Sequence, residues 1–417
     1  MNKSIERWIQ AVVGVVLLLL AGMVYAWSVL SRPIAAEFTS WSAATLSMTF
    51  TLTMIMFCVG CMAGGFVSKM VPARVLVWVS AGLFLVGFLV SSVISSAVGL
   101  YLGFGVLCGI ASGLVYNAVL GTVNAWFPDK QGLISGILMM GFGLSAFIVG
   151  KLYQAWTPAE IGGWRGSFRV MGIVIAVVFA LCGFLLHKPG KDFAPPAAAA
   201  KAKRFVNPVA MDTDVAGMIR QPSFWMYYLW AILLSAAGLA LVGQASGIAV
   251  QCGPEVDAGT IATVVGLISV FNGVGRVVFG GMFDKVGRSR TMQITNGVFI
   301  VAGAIMLLAI VTKSFVIVTV GFMVGGFAYG GINPTHSAFI SSYYGRTNYA
   351  MNFSIINTNL IIASFGSTIA ASLYDASQSY LSTVAMIIVL AALGVAASFG
   401  ISFFDKKKLE KDGKAAE

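Results

Sequence analysis

Charge is what this chain has least of. Only 10% of its 417 residues are Asp, Glu, Lys or Arg, against about a quarter in a soluble domain, which excludes a water-soluble globular protein. Acid is scarcer than base, 15 residues against 26, and every acid falls in a loop, a tail or at a helix end. Cysteine is sparse and odd in number, and four of the five lie in apolar runs. Cys58 and Cys61 form a CxxC with no second pair or nearby histidine to complete a metal or redox centre, so they read as core packing. No nucleophile-base pair, metal cluster or phosphate loop is present. The chain therefore reads as a protein that is not an enzyme and has no cofactor or metal. Its 48 glycines follow no G-X-Y period, which excludes collagen.

What fills the chain is apolar sequence. Hydrophobic side chains make up 58%, and the mean hydropathy is +0.90. Twelve runs are long enough to cross a bilayer, at residues 8–30, 43–66, 75–97, 99–125, 131–150, 170–186, 223–250, 259–283, 291–312, 314–342, 350–373 and 379–404. They are continuously apolar rather than alternating, so they are helices and not barrel strands. The first lacks a small-residue cleavage site and leads into Trp27 and Arg32, so it reads as a span and not as a removed signal peptide.

The basic residues orient these spans. With a cytoplasmic N-terminus, 20 of the 26 lie on the inner side and five, Arg32, Lys151, Arg165, Arg169 and Lys313, on the outer side. That asymmetry places both termini in the cytoplasm. It also explains the net charge of +11 as topology, with no nucleic-acid partner implied. One base remains, Arg276, inside the eighth span.

The longest polar stretch, His187 to Gln221, divides the spans six and six. It contains Pro195-Pro196 and the bases Lys201, Lys203 and Arg204, and reads as a flexible linker. The division is residues 1–187, an N-terminal six-helix bundle; 188–222, a cytoplasmic central loop; 223–405, a C-terminal six-helix bundle; and 406–417, a cytoplasmic tail. A shift of about 216 residues sets Gly280, Asp284, Lys285, Gly287, Arg288 and Arg290 opposite Gly64, Ser68, Lys69, Pro72 and Arg74. Repeated six-helix halves are a common construction for secondary transporters. Gly105, Gly109 and Gly113, and Gly266, Gly273 and Gly280, form small-residue stripes that predict close helix packing.

The loop G-x-x-x-D-K-x-G-R at Gly280 to Arg288 resembles the signature loop of the major facilitator superfamily, with a degenerate first-half copy in which Ser68 replaces the aspartate. Further stretches resemble its monocarboxylate transporter and oxalate/formate antiporter branch: Gly22-Met-Val-Tyr-Ala-Trp-Ser28, Trp126-Phe-Pro-Asp-Lys-Gln-Gly132, Gly163-Trp-Arg165 and Asn272-Gly-Val-Gly-Arg276. The resemblance implies an all-α membrane protein of twelve transmembrane helices in two pseudo-symmetric six-helix bundles.

Arg276 is the sharpest candidate residue. A guanidinium in a spanning helix costs at least about 2.5–3.5 kcal/mol, so it should face a polar cavity or snorkel toward the headgroups. Where spans carry one fixed cation and no acid, an anionic ligand completes the electrostatics, and a planar fork suits a carboxylate. In the resembling family an arginine at this position binds the substrate carboxylate. Asn272, one turn earlier, is on the same face. Several monocarboxylate carriers have a proton-linked aspartate there, which this chain lacks. Dicarboxylate exchangers of the resembling branch carry a helix 11 lysine. The matching stretch here has none, and its best counterpart is Asn359.

His336 lies in the tenth span beside Asn333-Pro334, where proline should loosen the helix, and shares a face with Tyr329. It could bind carboxylate, carry a proton or be a hydrogen-bonded core histidine. Tyr116, Asn117 and Tyr25 are the polar handles of the first half. Asp257 is a second proton candidate or a helix-dipole partner. Asp284, Lys285, Arg288 and Lys69 are expected to stabilise an inner gate. The resulting expectation is a carrier of a small carboxylate anion such as L-lactate or pyruvate, with H+ in symport and working by a rocker switch. It would be functional as a monomer in the lipid bilayer of a bacterial plasma membrane. Oxalate/formate-type anion exchange is the alternative.

Overall fold

The computed structural model describes residues 3–41, 43–155, 163–190 and 207–411. Helix alone builds it: among the described residues there is no strand. This is what lipid demands, because a helix satisfies its own backbone groups where no water can. The chain divides into two compact units, residues 1–129 with 137–200, and residues 130–136 with 201–417.

The first unit runs through α1 (Lys3–Ala21), a 3-10 turn (Gly22–Ala26), α2 (Trp27–Glu37), α3 (Ala43–Val67), α4 (Ala73–Ser92), α5 (Ala97–Leu100), a π-helical stretch (Tyr101–Cys108), α6 (Gly109–Trp126), α7 (Gln131–Ala155) and α8 (Gly163–Leu185). The second holds α9 (Val215–Ile219), α10 (Pro222–Cys252), α11 (Ala258–Thr312), α12 (Phe315–Gly330), α13 (Ile332–Tyr343), α14 (Tyr349–Asn357), α15 (Asn359–Ala363), α16 (Phe365–Ser377) and α17 (Leu381–Lys411), together with the start of α7.

Among the described residues eleven helical stretches are long and apolar enough to cross a membrane, where twelve were expected. The difference is one merger. The stretch Thr263–Thr312 has 50 residues, about 75 Å of helix and more than twice the hydrocarbon thickness. It contains Gly287 at φ 77°, ψ −177°, where the helix is broken. Gly287 belongs to the charged signature loop, so α11 is two crossings joined by a turn that glycine permits.

Small residues set the helix spacing. A Cβ on Gly113 would strike the Phe57 carbonyl and the Cys61 amide of α3, and one on Gly109 would strike Thr53. In the eighth span the expected stripe is only partly used. Gly266 faces open space, Gly280 meets the carbonyl of Gly132, and Gly275, outside the stripe, lies against Phe327 and Gly330. A strict seven-residue period drifts around a helix of 3.6 residues per turn, so the positions do not all face one neighbour.

Two spans are irregular. The tenth span loosens at Gly331, whose backbone stays right-handed helical, three residues before Pro334. Pro334 has no N–H to offer the Gly330 carbonyl, so the ladder opens where the proline was expected to loosen it. The eleventh span is three short helices interrupted at Thr358 and Ser364. The interhelical polymer of the central loop also has order: residues 207–221 are held on the second unit. Asn207 donates to the Ser342 carbonyl (3.1 Å), Met211 N–H to Tyr343 O (2.9 Å), Thr213 N–H to Tyr344 O (3.2 Å), and Asn352 to Thr213 O (2.9 Å). Those backbone donors are satisfied by a partner that sequence spacing does not reveal.

Candidate functional site

Arg276 is 6% exposed and lies well inside α11. Its Nε donates to Asn272 Oδ1 at 2.8 Å, the one-turn pairing that the spacing predicted. With Nε committed to Asn272, the end-on Nη1–Nη2 fork is the geometry that matches a carboxylate. The backbone of this turn is pressed against α12, because a Cβ on Gly330 would collide with the Asn272 carbonyl and the Arg276 amide. The neighbouring Tyr329 lays its ring on the bare Cα of Gly238 in α10.

Asn359 is fully buried and donates through Nδ2 to Ser235 Oγ at 3.1 Å. Its Oδ1 has no hydrogen-bond partner among the described residues. Ser235 precedes Gly238 by three residues on α10, hence lies on the same face. In the second unit α10 thus meets Asn359 at Ser235 and Tyr329 at Gly238, and Ser235 is the member that sequence reading missed. No signal marked it, since a lone serine in an apolar span is ordinary.

His336 is placed differently. It is fully buried, with Nδ1 2.9 Å from Tyr227 Oη and its ring edge-on to Tyr227 and Trp230. Tyr227 in turn stacks on Phe339 at 3.7 Å between centroids. His336 and Tyr329 lie on one run of right-handed helical backbone through Gly331, but His336 packs toward Tyr227. Its surroundings are those of a core histidine with one engaged nitrogen, and Nε2 has no partner among the described residues.

In the first unit, Tyr25 lies in the 3-10 turn, with its ring edge-on to Phe50 and Phe142. Tyr116 packs against Phe57 and Phe142 at centroid distances of 5.2 and 5.0 Å. Phe142 joins both tyrosines, and an apolar residue in an apolar helix offers no sequence signal of that. Asn117 donates to the Cys61 carbonyl at 3.0 Å, a bond between α6 and α3.

Asp257 caps α11, accepting from Thr260 N–H at 2.9 Å and Thr260 Oγ1 at 2.6 Å. Asp284 accepts from the backbone N–H groups of Gly132 and Leu133, both at 3.0 Å, at the start of α7, where the positive end of the helix dipole favours a carboxylate. Its first-half counterpart Ser68 turns back onto its own helix, donating to the Gly65 carbonyl. Lys285 and Lys69 are exposed. Arg288 is buried, with Nε donating to Tyr343 Oη (2.7 Å) and Nη2 to Asp405 (2.9 Å). Among the described residues no group of His, Cys, Asp and Glu could hold a metal ion.

Arg276 is thus a buried guanidinium inside a helical stretch long and apolar enough to cross a membrane. The Major Facilitator Superfamily model matches residues 11–365 and 249–417, and the chain belongs to that family. It is a membrane transporter and not an enzyme. The oxalate:formate antiporter of Oxalobacter formigenes is 26% identical over 349 residues, covering 82% of this chain and 80% of that protein. Human monocarboxylate transporter 11 is 30% identical over 127 residues, 30% of this chain and 26% of that protein. Among solved structures, the proton:xylose symporter XylE superposes with a TM-score of 0.75 at 15% identity, covering 97% of each chain. At that identity the likeness speaks for the fold.

Proposed function

We propose that the chain is a secondary carrier of small monocarboxylates, of the L-lactate and pyruvate kind, working by alternating access with a proton in symport. The observation that carries this reading is Arg276, a buried guanidinium inside a span whose Nε is fixed by Asn272. One permanent cation in spans that carry no acid at depth suits one carboxylate. Binding the anion there neutralises the pair and lowers the electrostatic barrier to reorientation. Asn272 fixes the fork, Tyr329 borders it, and Asn359 supplies a polar group in place of a second cation. Tyr25 and Tyr116 are the proposed contacts of the first unit. The candidate proton carriers remain His336, whose Nδ1 faces Tyr227, and Asp257, whose oxygens cap α11. The proposed setting is a bacterial plasma membrane, with both termini cytoplasmic and the monomer as the working unit.

Anion exchange is the second reading, favoured by the likeness to the oxalate:formate antiporter. Uptake of labelled L-lactate into proteoliposomes separates the two. Symport gives uptake driven by an inward proton gradient in empty vesicles, and exchange gives uptake only in vesicles preloaded with anion. Arg276→Ala, correctly inserted, is expected to lose uptake by about 30-fold or more, since removing one partner of a buried charge pair costs about 2–5 kcal/mol. Normal uptake by that variant would end the carboxylate reading.

A further inference from the structure

Asn359 has an unmet requirement. Its side chain is fully buried and its amide N–H is taken by Ser235 Oγ, which is itself 1% exposed. Because serine engages the nitrogen, the oxygen is the half of the amide that faces no donor among the described residues. A carboxamide oxygen withdrawn from water without a donor is destabilising, and a donor brought by a ligand restores what was lost.

The position of this oxygen relates it to Arg276. Ser235 and Gly238 are neighbours on one face of α10; Gly238 is bare because the Tyr329 ring lies on it. The next residue, Gly330, abuts the turn that carries Asn272 and Arg276. One run of neighbours within the second unit therefore links the helix turn that bears the buried cation to the buried acceptor. A ligand that uses both has a carboxylate for the first and a hydrogen-bond donor for the second.

We propose that Asn359, positioned by Ser235, reads a hydroxyl group on the transported anion, so that the carrier prefers hydroxy monocarboxylates to their oxo and unsubstituted analogues. This rests on the monocarboxylate reading and deepens it. The chemistry discriminates among small acids. A 2-oxo group offers only acceptors and would set oxygen against oxygen. An unsubstituted acid leaves Oδ1 unmet. An amino acid would donate, but it would bring an ammonium toward the Arg276 charge. A hydroxyl donates and stays neutral. Asn359 is then a specificity residue in contact with the anion, and Ser235 is a positioning residue that acts through it.

The test is thermal stabilisation of the purified full-length protein, titrated in parallel with L-lactate, glycolate, pyruvate, propionate and acetate, alongside competition by each acid against labelled L-lactate uptake. Expected is a preference of about tenfold or more for each hydroxy acid over its analogue, the factor that corresponds to about 1.4 kcal/mol. Asn359→Leu and Ser235→Ala should bring that ratio toward one, while Ser235→Thr, which keeps the hydroxyl, should retain it. Equal affinities in the unmodified protein, or a preference for pyruvate or propionate, would overturn the inference and leave the monocarboxylate reading standing. A ratio unchanged in folded Asn359→Leu and Ser235→Ala would do the same. If no monocarboxylate stabilises the protein while oxalate does, the monocarboxylate reading falls first and the inference falls with it. Because the ratio in the unmodified protein is itself decisive, a variant that fails to fold leaves the test intact.

Discussion

Arg276 shows how far a single residue can be read. It was the one base that topology could not place, and the structure finds it buried, with the i−4 asparagine on its Nε. Both facts follow from helix periodicity and the cost of charge in lipid. Arg288 shows the opposite. It is buried between Tyr343 and Asp405, partners 55 and 117 residues away that no local pattern could supply. Losing Asp405 would strand a buried guanidinium. Asp405→Ala is therefore expected to destabilise the protein by about 3–5 kcal/mol, seen as a lower Tm in detergent, and the double variant Arg288→Met/Asp405→Leu should recover most of that loss.

Among elements, helix contacts made through glycine backbones are the most sensitive to substitution. Gly113 lets α6 approach the Phe57–Cys61 turn of α3, and Cys61 Sγ lies 3.4 Å from the Gly113 carbonyl. Gly113→Leu should force the helices apart and cost about 1–3 kcal/mol or more, measurable as reduced yield of monodisperse protein and a lower Tm. The Gly-Trp-Arg run, noted in the sequence only as a likeness, has a structural reason. Gly163 takes φ +61°, and then Arg165 and Trp164 bind the two oxygens of Glu37 at 2.6 and 2.7 Å, while Arg165 also reaches the Ser92 carbonyl. This clasp joins the ends of α2, α4 and α8. The hydrogen bond from Arg165, then that from Trp164, holds the Glu37 carboxyl below its ordinary range. A depressed folded-state pKa means that the stabilisation is present above the unfolded value, about 4.3, and is lost as pH falls through the folded one. Scans of Tm against pH should show this acid limb, and Glu37→Gln should flatten it. Because the Glu37 side chain is 43% exposed, the effect is screened and modest.

For the molecule as a whole, the central loop carries more structure than its composition suggests. Polar, proline-containing sequence reads as a spacer, but residues 207–221 hydrogen-bond to the 342–352 region of the second unit, and Asp212 accepts from Thr347 Oγ1 at 2.5 Å. The amides of Met211 and Thr213 should therefore exchange hydrogen slowly, on the timescale of the second unit rather than of an open loop. Asp212→Ala together with Thr347→Val should speed that exchange. Exchange at the open-chain rate in the unmodified protein would show the segment undocked.

Hydropathy and the charged loop were enough to read the fold class, because a bilayer allows few solutions: an apolar run of about twenty residues must be a helix. The same economy exposed Arg276, since one charge among apolar residues stands out in a list. Everything that depends on which helix faces which was hidden. Ser235 against Asn359, His336 against Tyr227, Phe142 between two tyrosines and Asp405 on Arg288 each join residues far apart in the chain. Lipid-facing and core-facing surfaces of a membrane helix are almost equally apolar, so periodicity does not separate them, and the rotation of each helix is set by packing against its neighbours.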